Sequence, residues 1–142
     1  MEYVIDKESL KKSTVQEISR YAASAYGDDG SSLYDAFRVT SRDDSVIERY
    51  IEDGISAIFV RLFDVATRED SAIEFDVPDF DSSMEGEVEK ELEKFVVYKA
   101  CALWIADKNE KESEKYDKRA IASLDRAHIL LKSRKAPKRD QI

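Results

Sequence analysis

Apolar positions fall into four stretches of helical spacing and one of alternating spacing. The first helical stretch opens at Thr14-Val15-Gln16-Glu17, the spacing in which a threonine caps a helix and a glutamate three residues on reaches back to the cap's amide. Val15, Ile18, Ala22 and Ala25 follow on one face, and Gly27-Asp28-Asp29-Gly30 supplies turn formers, so a helix is predicted over residues 14–26. Ser32 and Asp35 repeat the capping spacing before Ala36-Phe37-Arg38, which predicts one further short turn. Ser41-Arg42-Asp43-Asp44 then places a cap and two carboxylates where a helix dipole favours negative charge. Behind it Ile47, Ile51, Gly54, Ile55, Ile58, Leu62 and Val65 share one stripe, predicting a second helix over 43–67. Phe59, Val60 and Phe63 lie off that stripe. That half of the helix is therefore expected to meet neighbours on more than one side, in its own core or in another subunit.

Ala72-Ile73-Glu74-Phe75-Asp76-Val77 alternates apolar and acidic residues before Pro78, predicting a strand over 73–77. A lone strand leaves its backbone groups unpaired. Its partner is either Tyr3-Val4-Ile5 or the same strand of a neighbouring subunit, and the pattern does not choose between them. Asp81-Ser82-Ser83 caps a third helix over 83–107, whose opening turns are acidic and whose core face begins at Val88, Leu92 and Phe95. From Phe95 to Ala106, a run that includes Val97 and Trp104, only Lys99 interrupts the apolar surface, which predicts a central helix. Asp107-Lys108-Asn109 allows a tight turn into a fourth helix over 110–134, with Tyr116, Ala120, Leu124, Ala127 and Leu131 on one side and Pro137 beyond its end. The short link predicts an antiparallel pair. The expected fold is mostly α: a compact bundle of about four main helices with a short β-strand element, one domain over 1–134, followed by a basic tail over 135–142.

Composition sharpens this picture. The chain's 142 residues are 42% apolar and 38% charged, enough for both a core and a heavily charged exterior, which excludes a disordered or membrane-spanning chain. Met1-Glu2-Tyr3-Val4-Ile5-Asp6-Lys7-Glu8 lacks the basic start and apolar centre of a signal peptide, so export by that route is not expected. A lone Cys101 permits no internal disulfide and, between Ala100 and Ala102, reads as a core thiol. The net charge of −8 is uneven: from residue 132 onward Lys132, Arg134, Lys135, Lys138 and Arg139 face only Asp140, net +4, which leaves −12 on the rest. An acidic body repels nucleic acid, whereas a basic tail suits an acidic partner or a phosphate backbone. The plain alternative is a solvated chain end.

Candidate chemistry is sparse. His128 is the only histidine, and although it shares a face with Asp125, a helical di-metal site needs a second such pair and two further carboxylates. Glu48 with Glu52, and Glu87 with Glu91, lie one turn apart, as magnesium-binding carboxylates would. With 31 acids in the chain such pairs also arise by chance, and the interleaved lysines and arginines suit helix ion pairing better. Asp28-Asp29-Gly30 lacks the later ligands of a calcium loop, and no glycine-rich phosphate loop, nucleophile elbow or paired-cysteine spacing occurs. No catalytic, cofactor-binding or metal-ligating residue is therefore expected. Phe59, Val60, Phe63, Val97 and Trp104 are assigned to core or subunit interface, and the pattern predicts assembly rather than catalysis.

Leu33-Tyr34-Asp35-Ala36-Phe37-Arg38-Val39-Thr40, then Asp43-Asp44-Ser45-Val46-Ile47-Glu48-Arg49-Tyr50-Ile51 and a helix through Leu62, together with Leu103-Trp104, Glu114-Lys115-Tyr116 and Arg134-Lys135-Ala136-Pro137, resemble the head-to-tail connector, or head-completion adaptor, proteins of tailed bacteriophages and prophages. The resemblance covers residues 31 to 139 and rests on capping and packing patterns. It implies a structural virion protein: a ring of identical subunits, usually twelve, bound beneath the portal and lining the DNA passage. Its partners would be the portal, a tail or further neck protein, and DNA passing without sequence recognition, with no membrane and no cofactor. Its place would be the virion neck, after synthesis in the cytoplasm of the bacterial host. On this reading Lys132, Arg134, Lys135, Lys138 and Arg139 dock the portal. The competing expectations are a small helical magnesium-dependent nucleotide hydrolase and a helical regulatory adaptor protein.

Overall fold

The structure, a computed structural model, describes residues 1–134. Strand β1 (Glu2–Val4) leads into helix α1 (Lys7–Ser24), which starts a full two turns before the predicted cap at Thr14. Asp6 is the cap, its carboxylate accepting from the Ser9 amide at 3.1 Å. Thr14 instead lies buried on the core stripe Leu10, Thr14, Ile18, Ala22 and donates its hydroxyl to the Leu10 carbonyl at 2.8 Å. The Thr14–Glu17 spacing misled because a threonine can satisfy itself on the preceding turn as well as cap the next one. Helix α2 (Tyr34–Phe37) is the single turn expected, with the Ser32 hydroxyl accepting from the Tyr34 amide at 3.2 Å.

A 3-10 turn at Ser41–Asp43 opens helix α3 (Asp44–Arg61), and here the Thr40–Asp43 capping box is complete. The helix stops at Arg61 rather than running to residue 67, because Ala66–Arg68 forms a strand, β2. That strand and β1 flank β3 (Ala72–Phe75) on its two sides, both antiparallel, in the order β1-β3-β2. Tyr3 stands opposite Ile73, and Ala66 opposite Phe75. Thus the expected alternation pairs within its own chain, with Tyr3 as one partner and a segment misread as helix as the other. The strand's short apolar face, Ile73 and Phe75, is buried in the main core.

A second 3-10 turn, Ser82–Met84, begins on the predicted cap: the Asp81 carboxylate accepts from the Ser83 amide at 3.0 Å. Helix α4 (Glu85–Ile105) follows, then a four-residue turn and α5 (Glu110–Leu131), capped by Asn109. Cross-contacts between Glu91 and Arg126, Lys99 and Asp117, and Ala102 and Ser113 show the two helices running antiparallel. Helix α4 also packs against α1 and α3, which explains why its sequence is apolar nearly all round. Val88, Leu92, Val96, Ala100, Cys101 and Ile105 are fully buried. Where α3 crosses α4, a Cβ on Gly54 would stand 3.3 Å from the Val96 side chain and 3.4 Å from its Cα, so the missing side chain permits the close approach.

Candidate interaction surface

Many of the carboxylates singled out by spacing are paired with cations. Glu52 is shared by Lys7 at 3.2 Å and by Arg68, and the hydrogen bond from Arg68 holds its carboxyl below the ordinary glutamate range. Glu48 meets Lys11 at 3.3 Å and Glu91 meets Arg126 at 3.1 Å. Asp125 pairs with Arg61 at 3.5 Å, while His128 is half-buried and makes no polar contact among the described residues. Among the described residues no three His, Cys, Asp or Glu side chains come together as a metal-binding group. The Cys101 thiol is buried beside the Thr14 carbonyl, and burial pushes its pKa up, away from the reactive thiolate.

Glu93 stands at the surface, and partial desolvation, then Glu89 and Asp6, raise its pKa. The acidic opening of α4 thus meets the acidic cap of α1, and the same charges act on the buried Tyr3 hydroxyl, whose pKa is pushed up chiefly by burial.

The structure separates the five apolar residues that the sequence left between core and interface. Phe59 and Val97 are half-buried and packed against the core. Trp104 donates its indole N–H to the Phe37 carbonyl at 2.7 Å, with the Lys108 ammonium 5.0 Å above its ring, and so fastens α2 to α4. Val60 and Phe63 differ, being 79% and 80% exposed. The reason lies in helical geometry: Ile51, Ile55, Ile58 and Leu62 turn inward, and two residues beyond Ile58 the rotation is about 200°, so Val60 points away from the core. Phe63 sits in the turn just past the end of α3.

Val60 and Ala57 of α3 form one rim of an open groove, Ile121 of α5 the other, and Phe95 of α4 contributes to its lining. The groove encloses about 250 Å³. The ion pairs Arg61–Asp125 and Lys99–Asp117, the latter at 3.1 Å, stand along it. Two exposed residues of α5 went unnoticed in the sequence: Ile121, 42% exposed, and Ile129, 68% exposed. Their signal was present, since each lies off the stripe of Ala120, Leu124, Ala127 and Leu131.

Of the basic residues, Lys132 is exposed at the end of α5. Arg134 folds back onto the turn before α4, donating to the Pro78 carbonyl at 3.3 Å and standing 3.7 Å from Asp79. The Ser133 carbonyl accepts from the Asp81 amide at 2.9 Å. Lys135, Lys138 and Arg139 lie outside the described residues. Among those residues no helix is long and apolar enough to cross a membrane. Comparison with protein families, with curated proteins and with solved structures yields no match.

Proposed function

We propose that this chain is a structural neck protein of a tailed phage or prophage: a head-to-tail connector that assembles as a ring of about twelve copies beneath the portal. The observation that carries the reading is the pair of exposed apolar residues, Val60 and Phe63, beside an apolar groove on a chain that is 38% charged. An exposed apolar patch framed by charge is the mark of a surface that meets another protein. The copy number and the portal come from the sequence resemblance.

The charge distribution suits the role. An acidic body lining a channel presents like charge to DNA, which can then slide with few adhesive contacts. Lys132 and the tail cations beyond residue 134 offer the opposite charge to an acidic portal surface. Arg134, already engaged with Pro78 and Asp79, would have to give up those contacts to join them, so Lys132, Lys135, Lys138 and Arg139 carry most of the docking charge.

Native mass measurement and negative-stain imaging of the chain with the portal protein of the same virus test the proposal. A ring seated on the portal is the expected result. A chain that neither forms a ring nor binds the portal overturns it.

A further inference from the structure

Residues 26–39 link α1 to α3, and among them only Phe37 is buried, with Leu33 and Val39 half-buried beside the core. The first part is a small hairpin closed on itself. The Gly27 amide donates to the Ser31 carbonyl at 2.8 Å, and the turn between them carries Gly30 at φ 79°, a value that suits glycine. Helix α2 follows, and the carbonyls at its end, Ala36 and Phe37, have no helical partner. Both are taken by α4 and the turn behind it: Lys108 donates to the Ala36 carbonyl, and Trp104 to that of Phe37 at 2.7 Å. The Lys108 ammonium also stands 5.7 Å from the centre of the Phe37 ring, which Tyr21 meets edge-on at 5.1 Å. Among the described residues, only these two bonds and one from the Leu33 amide to the Ala25 carbonyl, at 2.9 Å, join residues 26–39 to the rest of the chain by hydrogen bonding.

We propose that residues 26–39 are a strap that comes off the bundle as one unit, with Phe37 as its plug and Trp104 and Lys108 as its latch. Opening short of global unfolding belongs to segments that bury little apolar surface and keep their hydrogen bonds largely to themselves. The strap meets both conditions. Neither a single helical turn nor a short hairpin holds its shape alone in water, so a strap released from its latch also loses its internal hydrogen bonds. The flanking Ala25 and Thr40 are both extended, so release need not unwind α1 or the turn that opens α3.

The Lys108 ammonium serves twice, as donor to Ala36 and as a cation over the Trp104 and Phe37 rings, so losing it removes both holds together. Opening uncovers the Tyr21 ring, frees the Trp104 indole, and adds Phe37 to the already exposed Tyr26 and Tyr34. The device goes beyond the neck role and holds whether or not the chain forms a ring.

Native-state hydrogen exchange of the full chain at low urea, under conditions where exchange reports the opening equilibrium, tests the strap directly. The amides of Gly27, Leu33, Phe37 and Arg38 should exchange together, through an opening with a smaller denaturant slope than that of the buried amides of α4. Lys108→Met and Trp104→Phe should each speed that group at least ~fivefold, since each removes a hold present only in the closed state. Leu92→Ala supplies the control. Leu92 is fully buried in the helical core, which the open and closed states share, so its loss should speed exchange in α4 and α5 by ~30-fold or more and leave the strap's rate unchanged. The proposal fails if the strap amides exchange only with global unfolding, so that Leu92→Ala speeds them along with the helices. It fails equally if they show no protection in wild type, or if neither latch variant changes their rate. Any of these failures leaves the neck role standing, and a chain that never joins a portal leaves the strap standing.

Discussion

The middle of α4 and the end of α3 are similarly apolar in sequence, yet they meet opposite fates. Leu92, Val96 and Ala100 are wholly enclosed, whereas Val60 and Phe63 are about four-fifths exposed. The difference is one of neighbours. Helix α4 is flanked by α1, α3 and α5, so every turn of it finds a partner. Helix α3 packs against α1, α4 and β2 by its inward side, and among the described residues nothing covers the outward side that carries Val60. Hydrophobicity thus reports that a surface needs burying, while the arrangement of helices decides whether the chain buries it alone.

The sharpest test of this contrast is Leu92→Ala. Removing a fully buried leucine should cost about 2 to 5 kcal/mol, read as a shifted denaturant midpoint with an unchanged slope. Leu103, on the same helix, is only half-buried and should cost less; equal losses at the two positions would mean that α4 is not enclosed as described. Gly54→Val comes next. Its side chain would press on Val96 at the crossing of α3 and α4, an overpacking that should cost about 1 to 3 kcal/mol, partly offset by better helix propensity. An unaffected melting temperature would show that the two helices can part without penalty.

Glu93→Gln should move stability the other way, and by less. The folded pKa of the exposed Glu93 is raised, by partial desolvation first and by Glu89 and Asp6 after it. A raised carboxyl costs stability while ionised and recovers it as the pH falls through that pKa. The variant should therefore melt slightly higher than wild type at neutral pH, and the advantage should vanish at low pH, where both side chains are neutral. A melting temperature lower than wild type at pH 7 would mean that Glu93 has a favourable partner. The smallest effect belongs to Phe63→Ser, which should change the stability of the isolated subunit by less than ~0.5 kcal/mol, since the ring is mostly in solvent already. A loss comparable with that of Leu92→Ala would erase the distinction between the two regions.

Which positions need burying was legible in the sequence wherever periodicity and caps agreed. The stripe of α3, the cap at Asp81, the turn at residues 106–109 and the enclosed character of α4 all stand in the structure near where spacing places them. The errors share a cause. Thr14 has the right neighbours for a cap, but Asp6 begins the helix earlier, and a buried threonine bonded to the Leu10 carbonyl looks the same in sequence as one at a helix start. Val65 continues the stripe of α3, yet Ala66–Arg68 is pulled into a strand because β3 has a second edge to satisfy. The exposed isoleucines of α5 escaped notice because a residue one step off the core stripe is ambiguous until the neighbouring helix is in place.

By itself the sequence determined the local choices: a mostly helical chain, one alternating strand, an acidic body and a helix apolar enough to sit at the centre. These depend on spacing between residues a few positions apart, which the chain carries regardless of how it folds. Only the tertiary structure decided which apolar residues face solvent, which strands complete the sheet, and that Ala57 and Val60 of α3 share one groove with Ile121 of α5. Those properties depend on distance between residues far apart in the chain, such as Val60 and Ile121, and that distance exists only once the helices have packed.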